Sequence, residues 1–471
     1  MTTECTPKQL EFQGFGRRQV VGRFDGGSIS SDGGGLLLRE VDRRARILPR
    51  FAECFVDHRR PELIEHSVSE LVSQRVYGLA LGYEDLNDHD ELRWDPLLGL
   101  LAGKADPQGL HRVRERDRGK ALAGKSTLNR LELTPAGAGA GARYKKIVAR
   151  PESIDELLVT LFVEAHEFPP AQIVLDVDAT DDPLYGEQEG RFFHGYYRHY
   201  CYLPLYVFCG GHLLCARLRP SNIDASAGTV EELERIVGKI RTSWPEVKIL
   251  VRGDSGFCRE TLMSWCEANG VDFLLGIAKN ERFKASIAEE LATAEQLHEQ
   301  TGRAARVFKD FRYRTLKSWS RERRVVGKAE HLAQGSNPRF VVTSLAPEEI
   351  DARTLYEDLY CARGDMENRI KEQQLGLFAD RTSTATLRAN QLRLYFSSIA
   401  YVLMQSLRRM GLAGTELAKA QCDTIRLKLL KIGARIRFTV RKVWVSLSQS
   451  YPYAGLFWRA LERLRRWPLR C

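Results

Sequence analysis

None of the ten cysteines in this 471-residue sequence forms a Cys-x-x-Cys pair, and their spacing is irregular. A disulfide framework or a zinc module is therefore not expected. No run reaches the roughly 18 apolar residues needed to cross a bilayer. The N-terminus has no apolar segment of the signal-peptide kind. No membrane association is expected, and the reducing cytoplasm is the expected compartment. No glycine-rich nucleotide loop of the P-loop type is expected, which disfavours a basic metabolic α/β enzyme. Apart from one Gly/Ala run at Gly137–Ala142 there is no low-complexity tract, and no internal repeat.

What is present is an ordinary globular mix, 43% hydrophobic and 28% charged. At roughly 100–200 residues per domain the length suits two to four units. The net charge of +10 suggests an anionic partner without naming it. Its distribution says more. Between Gln421 and Cys471 there are twelve lysines and arginines against two acids, Asp423 and Glu462, an excess as large as that of the whole chain. Such blocks suit phosphate backbones. A second basic run, Arg112, Arg114, Arg116, Arg118, Lys120 and Lys125, is either a solvated loop or a nucleic-acid contact.

Along the chain, residues 1 to about 25 read as an irregular lead-in. Helical periodicity runs from Leu36 to about Leu101. A short helix is expected over Ser126–Leu133, capped by Ser126 or Thr127, and another over Ser153–Ala165, ended by Pro169-Pro170. The pattern then changes. Ile173–Asp178, Tyr200–Cys209 and His212–Arg219 read as strands with short connections, hence antiparallel neighbours. Helices at Thr229–Ser243 and Arg259–Asn269 alternate with strands at Val247–Val251 and Val271–Ile277, which favours parallel pairing. The expected fold is thus α/β, a ribonuclease H-like core with a mixed five-stranded sheet. A β-rich insertion is expected over residues 280–350, with a helical N-terminal region and a basic helical C-terminal tail. A long helix follows at Leu355–Leu375 and another at Gln391–Met410. The expected domains are 1–165 (helical, binding DNA ends), 170–279 with 351–410 (catalytic core), 280–350 (insertion) and 411–471 (basic region).

Acids at strand ends are the candidates for chemistry. Asp178 closes the first strand, in Asp178-Ala179-Thr180. Asp176 shares its face, so alternation alone does not exclude it, while Asp181 and Asp182 read as solvated turn acids. Asp254 follows the fourth strand in Arg252-Gly253-Asp254-Ser255-Gly256-Phe257, where glycines let the backbone turn and expose a carboxylate, although an Asp there also caps a helix. Glu367 lies on the late helix, on one face with Tyr360, Arg363, Lys371 and Gln374. A carboxylate flanked by cations one turn away is also an ordinary salt-bridged surface. The combination is more specific than its parts. Two-metal phosphoryl transfer needs carboxylates that converge on cations about 3.5–4 Å apart.

With these residues in place the sequence resembles the bacterial insertion-sequence DDE transposases, in particular the group with a Tyr-x2-Arg-x3-Glu-x6-Lys signature. The resemblance is carried by Asp178-Ala179-Thr180, the Arg252–Phe257 segment and Tyr360-x2-Arg363-x3-Glu367, and extends from roughly Phe24 to Tyr453. Asp85–Pro96 and Lys125–Glu132 look like that group's N-terminal region. The resemblance implies that Asp178, Asp254 and Glu367 hold two Mg²⁺ or Mn²⁺ ions, and that Tyr360 and Arg363 contact DNA phosphates. It implies cut-and-paste transposition of an insertion sequence, by cleavage at terminal inverted repeats and 3′-hydroxyl attack on target DNA. The implied partners are double-stranded DNA and a second copy, a homodimer on paired ends, in a prokaryotic cytoplasm and on the nucleoid when bound to DNA. The departure is Gln374 at the signature's last position, with Lys371 one turn earlier as the expected substitute charge. His194 and His199, in the aromatic stretch Phe192–Tyr202, could touch DNA, but cross-strand packing in a hairpin is the favoured role. A repair or resolving nuclease of the same fold, or a non-catalytic DNA-binding descendant, would share parts of this pattern.

Overall fold

A computed structural model describes residues 9–469. The chain divides into two compact units, one made of residues 1–148 with 406–471 and the other of residues 149–405. Among the described residues no helix is long and apolar enough to cross a membrane.

The first unit is helical over much of the expected stretch, at Gly35–Ala45, Ile47–Glu53, Val68–Leu81, Asp88–Leu92 and Pro96–Leu101. Ser67 and Glu70 form a reciprocal capping box at the start of Val68–Leu81, which satisfies two otherwise orphaned amides. Three expectations need correction here. Residues 1–8 of the irregular lead-in lie outside the described residues. The rest of it is largely a hairpin, Leu10–Phe15 against Arg18–Gly22, turned at Gly16 with φ +62°. The helix Lys125–Glu132 has Gly124 at its N-cap with no side-chain cap, so Ser126 and Thr127 sit inside its first turn. The C-terminal segment is not purely helical, because Ala434–Phe438 and Val443–Leu447 form a hairpin whose first strand pairs with Ser28–Ser30. Its period-two alternation of apolar and charged residues selects a strand, and the density of arginines masks that pattern.

The second unit holds helix α1 (Pro151–Glu164), strands β1 (Gln172–Ala179), β2 (Leu205–Cys209) and β3 (His212–Arg217), helix α2 (Thr229–Ser243), strand β4 (Lys248–Gly253), helix α3 (Glu260–Ala268) and strand β5 (Asp272–Ile277). Helix α4 (Ala288–Thr301) follows, then strands β6 (Ala305–Tyr313), β7 (Arg323–Leu332) and β8 (Arg339–Thr343). The sheet runs β3-β2-β1-β4-β5-β8-β7-β6, with a short strand at Gly335–Ser336 beside β7. β2 pairs antiparallel with β1 and β3, and β4 pairs parallel with β1 and β5, as the connection lengths predict. Residues 305–343 are β-rich as expected. They do not form a separate body, since β8 pairs antiparallel with β5 and carries the core sheet outward. The Tyr200–Cys209 strand is broken at Leu203-Pro204 into His199–Tyr202 and β2, because proline has no amide for the ladder.

Alternation along the central strands sorts the sheet into two faces. Ile173, Leu175 and Val177 of β1, Ile249 and Val251 of β4, and Phe273 and Leu275 of β5 pack with Leu233, Ile236, Val237 and Ile240 of α2 and with Leu262 and Met263 of α3. The other face carries Leu250, Leu274, Val326 and Val341, and packs against Leu355 and Tyr356. Those two residues begin a helical run from Ala352 to Gly376. The run is not the uniform helix its periodicity predicts. It is π-helical at Leu355–Tyr360, 3₁₀ at Cys361–Arg363, α-helical at Gly364–Lys371 (α5) and π-helical again at Glu372–Gly376. Asp176, Arg252 and Asp178 have the parity of this second face, so a period of two aims all three at the helical run.

Candidate active site

Asp176 and Asp178 have different fates, which the sequence alone does not separate. Asp176 lies directly across from Arg252 in the β1–β4 register. The two form a buried fork-to-fork ion pair, Nε to Oδ1 at 2.5 Å and Nη2 to Oδ2 at 2.8 Å. The third arginine nitrogen donates to the Leu359 carbonyl. Asp176 is thereby committed to tying β1 and β4 to the helical run. Arg252 is a structural residue that motif reading missed; the signal was the register, which sets it opposite Asp176.

Asp178, two residues on, reaches the strand end. Its Oδ2 lies 3.3 Å from Nη1 of Arg363, and Nη2 of the same guanidinium lies 3.0 Å from Oε1 of Glu367. One arginine thus bridges a carboxylate on the sheet and a carboxylate one helical turn further along the run. The side chains of Asp178 and Arg363 are 14% and 18% exposed, whereas that of Glu367 is 47% exposed. Burial, opposed by Arg363 and reinforced by Asp254 and Glu367, pushes the Asp178 carboxyl up to about 7. Arg363 is held above its ordinary value; burial opposes this, and Asp178, Tyr360, Glu367 and Asp254 outweigh it.

Asp254 follows β4 directly, and the parallel pairing of Gly253 with Val177 sets it beside Asp178. Its Oδ1 accepts the Gly256 amide at 2.8 Å, capping the short turn Ser255–Phe257. Capping and catalytic readings are compatible, since the cap engages one oxygen and fixes the rotamer. Tyr360 completes the cluster. Burial raises its phenol, with Arg363 pulling down and Asp254 pushing up. A Cβ on Gly276, at the end of β5, would collide with the Tyr360 hydroxyl and lie 3.0 Å from the Ser255 amide. Glycine is required there by close approach.

The remaining signature positions diverge. Lys371 is exposed and makes no ion pair among the described residues. Gln374 turns inward, and its amide donates to Asp182 Oδ1 at 2.8 Å and to the Asp181 carbonyl at 3.0 Å. Asp182 is fully buried, so the expectation of a solvated turn acid is corrected. Burial pushes its carboxyl up to about 8 against the Gln374 bond, and its Oδ2 has no hydrogen-bond partner. Asp181 pairs with His199 at 2.7 Å. Phe192–His194 and His199–Tyr202 form the expected hairpin, with Phe193 edge-on to Tyr200 at 5.6 Å. Tyr197, in its turn, has its phenol raised by burial and then by Asp181 and Asp178, a neighbour of the acids that motif reading did not flag.

Among the described residues no three acid, histidine or cysteine side chains form a closed metal cluster. The donor chemistry nevertheless suits a hard cation, since Asp178, Asp254 and Glu367 offer oxygen alone. The positive charge those acids call for is supplied by Arg363, which lies between two of them.

The sequence matches a family described as transposase DDE domain group 1 over residues 12–469. No curated protein matches at a significant level. Among solved structures, the chain is similar to the one titled "Cryo-EM structure of piggyBac transposase synaptic complex with hairpin DNA (SNHP)", with a TM-score of 0.41 and 12% identity over 85% of this chain and 80% of that one. The family match spans nearly the whole chain, and by it this chain belongs to the DDE transposases, metal-dependent enzymes that cut DNA.

Proposed function

We propose that residues 149–405 form a ribonuclease H-like catalytic unit in which Asp178, Asp254 and Glu367 hold two Mg²⁺ or Mn²⁺ ions. The observation that carries this reading is the gathering of two strand-end aspartates and a helical glutamate around Arg363 on one sheet face. When bound, the ions supply an activated water or 3′-hydroxyl and neutralise charge on the phosphate. The protein's own residues do the positioning. Asp254 is fixed by its bond to Gly256. Arg363 offers a planar fork to a phosphate oxygen once a cation takes over its charge-balancing role. Tyr360 borders the same space, and Lys371 presents an unpaired charge to the backbone of the DNA.

The reaction is cut-and-paste transposition of a prokaryotic insertion sequence. Strands are cleaved at terminal inverted repeats and the freed 3′-hydroxyl attacks target DNA, with two copies of the chain on paired ends. The test is cleavage of a labelled duplex carrying the element's terminal repeat, with Mg²⁺, comparing wild type with Asp254→Asn. Wild type is expected to cut at the repeat boundary, and the variant to bind without cutting. Equal cutting by both proteins removes the triad assignment. Cutting that ignores the repeat favours a general nuclease of the same fold.

A further inference from the structure

The most cationic cavity of the molecule lies in the first unit, outside the acidic site. It encloses about 480 Å³ and is lined from five segments between Arg59 and Ile147. Its charges fall into two layers. The deeper arginines are matched: Arg93 to Asp117 at 3.2 Å, Arg112 to Glu65 at 3.1 Å and Arg59 to Asp57 at 2.7 Å. Arg114, Arg116 and Arg130 line the mouth, are exposed, and have no carboxylate partner among the described residues. Arg130 lies over the ring of Tyr144 at 4.8 Å, and Arg143 over the same ring at 4.9 Å.

Three further observations point to an anion. His66 is buried between Lys104 Nζ at 3.2 Å from Nδ1 and Arg112 Nη1 at 2.8 Å from Nε2, so the neutral ring serves cations on both sides. Burial first, then Lys104, Arg112, Arg93 and Arg59, push its pKa down to about 2. Arg112, with a side chain only 8% exposed, has an Nε that makes no directed hydrogen bond despite its proximity to Glu65. The wall is completed by the uncapped start of the helix Lys125–Glu132, with the Ser126 and Thr127 side chains in its first turn, and helix N-termini favour phosphate.

The sequence here corrects one expectation. Gly119-x4-Gly124-Lys125-Ser126 has the spacing of a phosphate-binding loop, so that pattern is present after all. Its context is different. The approach is a loop with a 3₁₀ turn at Glu115–Asp117 and no strand, and Lys125 Nζ turns to Asn87 at 3.2 Å and Asp90 at 3.5 Å. The lysine a nucleoside triphosphate would need is engaged elsewhere, while the unpaired arginines line the mouth. That arrangement suits an extended polyanion.

We propose that this cavity seats consecutive backbone phosphates of duplex DNA, gripped by Arg114, Arg116 and Arg130, with Tyr144 packing beside the strand. The proposal rests on the transposase reading and assigns a binding site to its first unit. The test is fluorescence anisotropy of the full chain with a duplex carrying the terminal repeat, without divalent metal, across a salt series. Arg114→Gln/Arg116→Gln/Arg130→Gln is compared with wild type. Each lost phosphate contact should lower the slope of log K against log salt by about 0.9, so the triple variant should lose about two to three units of slope. It should melt like wild type, because none of the three side chains makes an ion pair. Unchanged slope and affinity in the triple variant, beside a wild type that binds and cuts, overturns the cavity assignment and leaves the transposase reading intact. A wild type that neither binds nor cuts the duplex counts against the transposase reading itself. Saturable binding of ATP or pyrophosphate that competes with DNA and is lost in the triple variant makes this a nucleotide site and also overturns the proposal.

Discussion

Gln374 stands where the related signature carries a lysine, and its bond to Asp182 gives that exchange a physical meaning. An amide at this position can satisfy a neutral carboxyl without supplying a charge to an ionised one. The Asp182 carboxyl is fully buried and titrates near 8, far above its ordinary 3.8. A carboxyl whose folded-state pKa is raised keeps its proton in the folded chain while the unfolded chain has released it. Stability therefore falls as pH rises from about 4 to about 8 and levels off beyond. Asp182→Asn keeps the shape and the acceptor for Gln374 but removes the titration. The expected outcome is a flatter dependence of melting temperature on pH between 5 and 8 than in wild type. An unchanged slope in the variant would show that Asp182 is ionised when folded.

At the scale of elements, the first five strands and their order were legible because period-two alternation and connection length decide them together. The break at Pro204 and the merging of β6, β7 and β8 into the same sheet were not, because pairing partners depend on which edge is free and not on local pattern. The choice between Asp176 and Asp178 needed the register, which sets Arg252 opposite the first and leaves the second for Arg363. That tie has a measurable energy. Arg252→Met strands a buried carboxylate and should cost about 3–5 kcal/mol in denaturant unfolding. Adding Asp176→Leu should restore much of it, and a double variant no better than the single would sink the assignment. Gly276→Ala tests the packing of Tyr360 against the strand end. The new methyl collides with the phenol, so DNA cleavage should fall by tenfold or more while unfolding changes by about 1–3 kcal/mol. Tyr360→Phe in the same chain should recover stability but not cleavage. Recovery of neither would mean that the Ser255 backbone is the limiting contact.

At the scale of the whole molecule, the basic C-terminal segment is easy to misread as an appendage, since its charge suggests a solvated DNA-gripping arm. The structure builds it into the first unit. Ala434–Phe438 pairs with Ser28–Ser30, and the amides of Gly33 and Gly34 donate to the carbonyls of Ile432 and Leu430. Cys422, Ile425, Leu429, Leu430, Phe457 and Leu464 are buried within that unit. Gly34 has no room for even a methyl group, which would lie 2.1 Å from the Leu429 carbonyl oxygen. Burying six such side chains at roughly 1.5–3 kcal/mol each is comparable with a domain's entire net stability. A chain ending at Ala420 should therefore lose the fold of residues 1–148 and not merely its affinity for DNA. Limited proteolysis is expected to degrade that region while a fragment beginning near Ala149 survives. A truncated chain that resists protease over residues 1–148, and loses only DNA binding, would return the segment to the role of an arm.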